Sequence, residues 1–372
     1  IGVIMDVVYN HVADAGNFCF NKIVPGYFSR IHDDGSYQSN SGCGNDTASE
    51  RSMVSKYIVD SVKYWADEYH IDGFRFDLVG LIDTDTINAV IEEVHKTHPN
   101  VIFYGEGWTM STQVTKQGVT LTTQTNSTKT PEFAFFSDTI RDGMKGSVFN
   151  NTEKGYVSGA DGRAATVAKC FPGVYSWCKS PTQTVNYASC HDNMSLIDRI
   201  TMSTEEETVE DRIRMNNLAA SIYMLSQGVP FMQAGEEMLR SKPLPNGGFD
   251  HNSYKSPDSI NSIKWNDLND ATYMDVYNYY KGLIAFRKAH PALRMTEQAE
   301  ILSAMSALET GSNDVIAILN KGGNGEQAEI LSIFNADAAE QTVSLPEGKW
   351  EVYVNGELAG TTVLETVAGT VT

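Results

Sequence analysis

Three carboxylates stand where three short apolar runs end. Asp77 follows Gly73-Phe74-Arg75-Phe76, Glu106 follows Val101-Ile102-Phe103-Tyr104-Gly105, and Asp192 follows Thr184-Val185-Asn186-Tyr187-Ala188-Ser189-Cys190 and His191. A pair of carboxylates flanking a glycosidic bond can hydrolyse it: one attacks or activates water, and the other protonates the leaving oxygen. His11 and His191 also stand at the ends of apolar runs and suit hydrogen bonds to sugar hydroxyls. Trp108, two residues past Glu106, suits stacking on a sugar ring. Arg75 and Asp77 are two apart, so they leave one face of a strand together. Opposite charges on a buried strand cost several kcal/mol each in desolvation unless they are paired. Each feature alone also reads as structure: an ion pair at a strand end, a satisfied histidine, a core tryptophan. Their joint placement at strand ends is what favours chemistry.

The elements that carry these residues alternate. Strands are expected at 2–8, 72–77, 101–106, 133–136, 184–190 and 229–234, with helices at 48–69, 84–97, 205–227 and 270–289 and a short helix near 161–169. Asp46 or Thr47 can cap the first of these, whose Val54, Ile58, Val62 and Trp65 recur at helical spacing. Residues 13–50 and 108–131 read as long loops, which in compact domains are usually functional. Strands alternating with helices point to a parallel sheet. Polar residues gather at the C-terminal ends of its strands (Asn10/His11, Asp77, Glu106, His191/Asp192, Glu236/Glu237), the active-site end of a (β/α)8 TIM barrel. An open doubly wound sheet is the alternative, but no glycine-rich phosphate loop follows any strand. Past about residue 295 the pattern becomes short strands split by turns, an all-β sandwich of about 75 residues. This gives a catalytic (β/α) barrel over 1–294 and a β-sandwich over 295–372.

Composition bounds the partners. The 372 residues are 41% hydrophobic and 20% charged, with a formal net charge of −19. Such acidity repels phosphate backbones and argues against a nucleic-acid partner. No apolar run reaches the roughly 18 residues of a membrane span. The five cysteines form no metal-ligand pair. Cys19/Cys43 or Cys170/Cys178 could be loop disulfides, although free thiols are expected for at least one pair. The chain opens directly on a buried-strand pattern, Ile1 to Val8, which reads as a cut chain whose N-terminal part is a missing partner.

At this point four ordered segments matter: Asp6-Val7-Val8-Tyr9-Asn10-His11, Gly73-Phe74-Arg75-Phe76-Asp77, Gly105-Glu106-Gly107-Trp108 and His191-Asp192-Asn193. They resemble the motifs of the α-amylase superfamily, glycoside hydrolase family 13. Phe74 to Gly80, Tyr104 to Trp108, Asn252 to Asn261 and Gly42 to Ala48 resemble, within it, the type I pullulanases.

That resemblance implies a retaining hydrolase of α-1,6-glucosidic linkages in pullulan, starch or glycogen-derived α-glucans. It implies Asp77 as nucleophile through a glycosyl-enzyme intermediate, and Glu106 as general acid and then base, which requires that it stay protonated near neutral pH. It implies Asp192 as stabiliser of the oxocarbenium-like transition state. Arg75 would orient Asp77 and keep it ionised. His11 and His191 would contact the sugar, and Trp108, Asn252 and Tyr254 would line the substrate site. No cofactor is required; calcium is the one left open, with Asn10 as its candidate ligand. The partner is an α-glucan, and a polymeric substrate suits a secreted or cell-surface setting. The sequence departs from the family pattern at Cys190, where relatives often carry Lys, and lacks the family's first two barrel strands and an aromatic run before the first motif. These departures put activity of the chain alone in doubt. An α-1,4-acting amylase-like enzyme and an inactive α-glucan-binding fragment are the alternatives.

Overall fold

The computed structural model describes all residues from 1 to 372, arranged as two compact units. The first unit holds residues 1–136 and 175–179, and the second holds 137–174 and 180–372.

In the first unit, strands β1 (Ile4–Val7), β2 (Gly73–Phe76), β3 (Ile102–Gly105) and β4 (Phe133–Phe136) pair in parallel in that order. The register sets Asp6 beside Arg75, and Arg75 beside Tyr104. Short helix α1 (Cys19–Ile23), helix α2 (Ser52–Tyr69) and helix α3 (Thr84–His95) fall between the strands. The stripe Val54, Ile58, Val62 and Ala66 of α2 is buried, as are Ile87, Val90, Ile91 and Val94 of α3. Both stripes join a core with Phe74, Phe76, Phe103, Phe133 and Phe135.

The expected cap of α2 is replaced by another arrangement. The helix starts at Ser52, with Arg51 in the capping position and no side-chain cap. Asp46 instead accepts from the backbone N–H of Asn40 (2.8 Å) and Ser41 (2.9 Å) and from Thr112 Oγ1 (2.9 Å). Asn45 binds Val12 through both its N–H (2.9 Å) and its carbonyl (2.6 Å). The Gly42 to Ala48 segment therefore folds the long loop back onto the end of β1, a use that outweighs helix capping. Asp83 does cap α3, accepting from the Thr86 N–H at 2.9 Å.

In the second unit, helix α4 (Asp138–Lys145), helix α5 (Ala164–Cys170), strand β5 (Thr184–Asn186), helices α6 (Leu196–Ser203) and α7 (Val209–Leu225), strand β6 (Val229–Pro230), the short helix α8 (Asp258–Asn261) and helix α9 (Ala271–Ala289) follow one another. β5 and β6 are parallel, which makes six parallel strands in all. Both are far shorter than expected: β5 ends at Asn186 and β6 at Pro230. Pro230 has no N–H for a ladder.

The C-terminal region opens on an unforeseen helix, α10 (Gln298–Ala304). It continues as a three-stranded antiparallel sheet of β7 (Met305–Ala307), β8 (Val315–Asn320) and β9 (Ile330–Asn335). Two antiparallel pairs complete it: β10 (Val343–Ser344) with β13 (Thr370–Val371), and β11 (Trp350–Val352) with β12 (Glu365–Val367). This region is tied into the same unit. Tyr156 OH donates to the carbonyls of Asp314 (2.9 Å) and Phe334 (2.8 Å). Tyr279 OH of α9 donates to Asn355 O at 3.0 Å. Gly282 of α9 lies so close to Ala359 O that a Cβ there would stand 1.9 Å from it. No disulfide joins any of the five cysteines, and no helix is long and apolar enough to cross a membrane.

Candidate active site

The site begins where β2 stops. Asp77 is the first residue past the strand, and its N–H still bonds Val7 O at 3.0 Å. Arg75, buried on the same strand, gathers three carboxylates. Its Nη1 donates to Asp77 Oδ1 at 2.8 Å and to Asp6 Oδ1 at 2.9 Å, and its Nη2 lies 3.1 Å from Glu106 Oε1. Burial opposes the guanidinium charge, but Glu106, Asp6 and Asp77 more than offset it and hold the Arg75 pKa above its ordinary value.

Asp77 is held from its other side by Asn10, whose Nδ2 donates to Asp77 Oδ2 (2.9 Å) and Asp77 O (2.8 Å). His11 Nδ1–H donates to Asn10 Oδ1 at 2.6 Å, which fixes the ring nitrogen left for a ligand as Nε2. The first unit thus joins His11, Asn10, Asp77, Arg75 and Glu106 in one continuous network.

The turn after Asp77 is unusual. Leu78 adopts a left-handed conformation (φ 38°, ψ 49°), which costs a branched L-residue about 1–2 kcal/mol. The turn aims the Leu78 N–H at Glu106 Oε2, 3.1 Å away. Gly80 N–H then bonds Glu106 O at 3.1 Å, and a Cβ at Gly80 would lie 2.0 Å from Trp108 O. Glycine at position 80 is what lets the two strand-end loops touch, and Trp108, partly buried, follows from that loop.

In the second unit, His191 and Asp192 are adjacent and exposed, with His191 Nε2 3.7 Å from Asp192 Oδ1. The Asp192 side chain is 52% exposed. Asn252 and Tyr254 lie on a separate loop. Asp250 Oδ1 accepts from the Asn252 N–H at 2.9 Å, and Lys242 Nζ donates to Ser253 Oγ at 2.6 Å. These bonds brace the loop and leave the Tyr254 ring 72% exposed, with Lys255 Nζ 5.1 Å from its centre. Asp6 and the Leu78 N–H were not among the expected site residues. The only sequence signal for Asp6 was its place in the first motif.

The calcium expectation at Asn10 does not fit. The amide is spent on Asp77 and His11, and no group of three His, Cys, Asp or Glu side chains stands together to hold a metal ion.

Comparison with known proteins gives the family and the fold. Residues 43–274 match the family described as alpha amylase, catalytic domain, and residues 301–358 match the pullulanase all-beta domain. The chain is similar to the pullulanase of Bacillus subtilis (strain 168), with 38% identity over 313 residues, covering 82% of this chain and 42% of that protein. Its structure is similar to that of a pullulanase from Bacillus acidopullulyticus: TM-score 0.93 at 38% identity, covering all of this chain and 45% of the other. It is also similar to the type I pullulanase of B. subtilis complexed with maltose, with TM-score 0.91 at 32% identity, covering all of this chain and 52% of the other. The chain therefore spans about half, or less, of the length of these relatives. The match over residues 43–274, on a parallel (β/α) sheet followed by a β-sheet domain, makes this chain a member of the α-amylase family.

Proposed function

We propose that the chain carries the catalytic machinery of a retaining glycoside hydrolase that debranches α-glucans at α-1,6-glucosidic linkages, with pullulan as the diagnostic substrate. The observation that carries the proposal is Arg75 bridging Asp77 and Glu106 through its two terminal nitrogens. One guanidinium spans the two carboxyl groups, an arrangement that suits the short separation of a retaining pair, about 5 Å, and leaves little room for an interposed water.

On this reading Asp77 attacks the anomeric carbon. Its Oδ1 is tied to Arg75 and its Oδ2 to Asn10, so the carboxylate is oriented and its charge balanced before substrate arrives. Glu106 protonates the leaving oxygen and then deprotonates the water that releases the sugar. Asp192 and His191 hold sugar hydroxyls and favour the oxocarbenium-like transition state, and His11 Nε2 is the ring nitrogen open to a sugar hydroxyl. Trp108, Asn252 and Tyr254 line the path of the branch, and the exposed Tyr254 ring offers a stacking face. No cofactor enters the reaction. The division at 294/295 belongs to this reading, supported by the two family matches falling on either side of it. So do an α-glucan partner and a secreted or cell-surface setting.

The test is reducing-sugar release from pullulan, with Asp77→Asn and Glu106→Gln beside the unaltered chain. Release abolished by either substitution supports the proposal. Release of shortened linear chains from unbranched amylose would instead mark an α-1,4-acting enzyme. Binding of maltotriose with no release from pullulan would mark a glucan-binding module.

A further inference from the structure

Strand β5 ends at Asn186, six residues before Asp192. Between them, Ala188, Ser189, His191 and Asp192 make no backbone–backbone hydrogen bond. A catalytic carboxylate on such a segment must be positioned by side chains, and the second unit supplies an arrangement that does this. Glu236, on the turn after β6, is buried at 4% exposure. Its Oε2 accepts from Ser189 Oγ at 2.5 Å, and its Oε1 accepts from Tyr223 OH at 2.7 Å and Tyr280 OH at 3.1 Å. Tyr280 is held in turn by Asn216 Nδ2 at 3.1 Å. Tyr223 belongs to α7 and Tyr280 to α9, so the carboxylate is pinned between two long helices. Its remaining bond goes to the Ser189 hydroxyl, three residues before Asp192.

We propose that Glu236 is a positioning residue for the His191-Asp192 turn, acting through Ser189. The inference rests on the role of Asp192 given above. A sealed carboxylate is expensive to desolvate, and an amide or hydroxyl could complete the tyrosine cluster at lower cost. A carboxylate here accepts three charge-assisted hydrogen bonds at once, stronger and geometrically stiffer than neutral ones. Downstream, Met194 is buried and Ser195 caps α6, its Oγ accepting from the Asp198 N–H at 3.4 Å. His191 and Asp192 are thereby stretched between two anchors, Ser189 on Glu236 and Ser195 on α6. Asn193, left-handed at φ 62°, makes the bend between them.

The informative variant is Ser189→Ala. It cuts the link to the turn and leaves Glu236 bonded to both tyrosines, so folding is preserved where loss of Glu236 itself would threaten it. Backbone NMR order parameters are expected to fall below about 0.6 at residues 188–193 and to stay unchanged along α7 and α9. With pullulan as substrate, kcat is expected to fall on the order of 10- to 100-fold with KM nearly unchanged, the signature of a misplaced catalytic group. In an Asp192→Asn background, Ser189→Ala is expected to add no further loss, because both changes act on one carboxylate. Unchanged order parameters at residues 188–193, or losses that multiply in the double variant, would overturn the proposal. If the unaltered chain releases nothing from pullulan while the order parameters of 188–193 respond as expected, the hydrolase reading fails and the anchoring of the turn by Glu236 stands.

Discussion

Arg75 Nη1 is shared between Asp77 Oδ1 at 2.8 Å and Asp6 Oδ1 at 2.9 Å, so Asp77 and a neighbouring-strand aspartate compete for one nitrogen. Asp6 is about half exposed and Asp77 less so, which leaves the stronger electrostatic claim with Asp77. A flat fork that serves three carboxylates is something lysine cannot reproduce. Arg75→Lys is expected to lower kcat on pullulan by at least about 100-fold while the chain stays folded. Arg75→Met, which strands the carboxylates without a counter-charge, is expected to lose about 3–5 kcal/mol as well, measured by urea unfolding.

Position 78 reverses an ordinary ranking. Glycine normally weakens a chain relative to alanine, but Leu78 occupies the left-handed region where an L side chain is strained. Leu78→Gly is expected to be more stable than Leu78→Ala by about 1 kcal/mol in paired denaturant titrations. The reverse order would show that the turn relaxes when the leucine is removed.

Chelation tests the commitment of Asn10 to protein partners. Because its amide is bonded to Asp77 and His11, excess EDTA is expected to leave the melting temperature unchanged. Asn10→Ala is expected to cut kcat roughly 10- to 100-fold, since it frees the side of Asp77 opposite Arg75.

Lys145, fully buried on the last turn of α4, gives the stability a pH dependence of known sign. Burial, joined by repulsion from Arg141, pushes its pKa down to about 8. Between that value and the unfolded value of about 10.4, the unfolded chain binds more protons than the folded one, so stability rises with pH across this window. Below pH 8 the charged lysine costs the fold about 3 kcal/mol, and this cost is relieved as the pH approaches 10.4. Lys145→Met removes the dependence. The stability of the variant relative to the unaltered chain, from urea titrations at pH 7 and pH 10, is expected to be higher at pH 7 by about that amount.

The alternation of strands and helices was legible because α2 and α3 bury long apolar stripes at helical spacing. The acids were legible because they sit just past β2 and β3, or in a recognisable motif. What stayed hidden depends on register and distance. Asp6 meets Arg75 only because β1 and β2 pair with those residues side by side, which neither strand records alone. Glu236, Tyr223, Tyr280 and Ser189 are spread over some ninety residues and share no pattern. β5 and β6 looked long because their apolar runs continue, yet backbone pairing stops after three residues and two. α10 was missed because Gln298–Ala304 is a short amphipathic stretch inside a region dominated by strand signals.

The ties between Tyr156 and the Asp314 and Phe334 carbonyls, and the contact of Gly282 with Ala359, bear on how such a chain can be recombined. A breakpoint at residue 294 falls between two sequence families but through one packed unit. A β-region transplanted from a relative would have to bring carbonyls that meet the Tyr156 hydroxyl and a backbone that lies flat against Gly282. Gene fusions at that junction are therefore expected to be inherited as matched halves, with the tyrosine and the glycine travelling alongside the strands they touch.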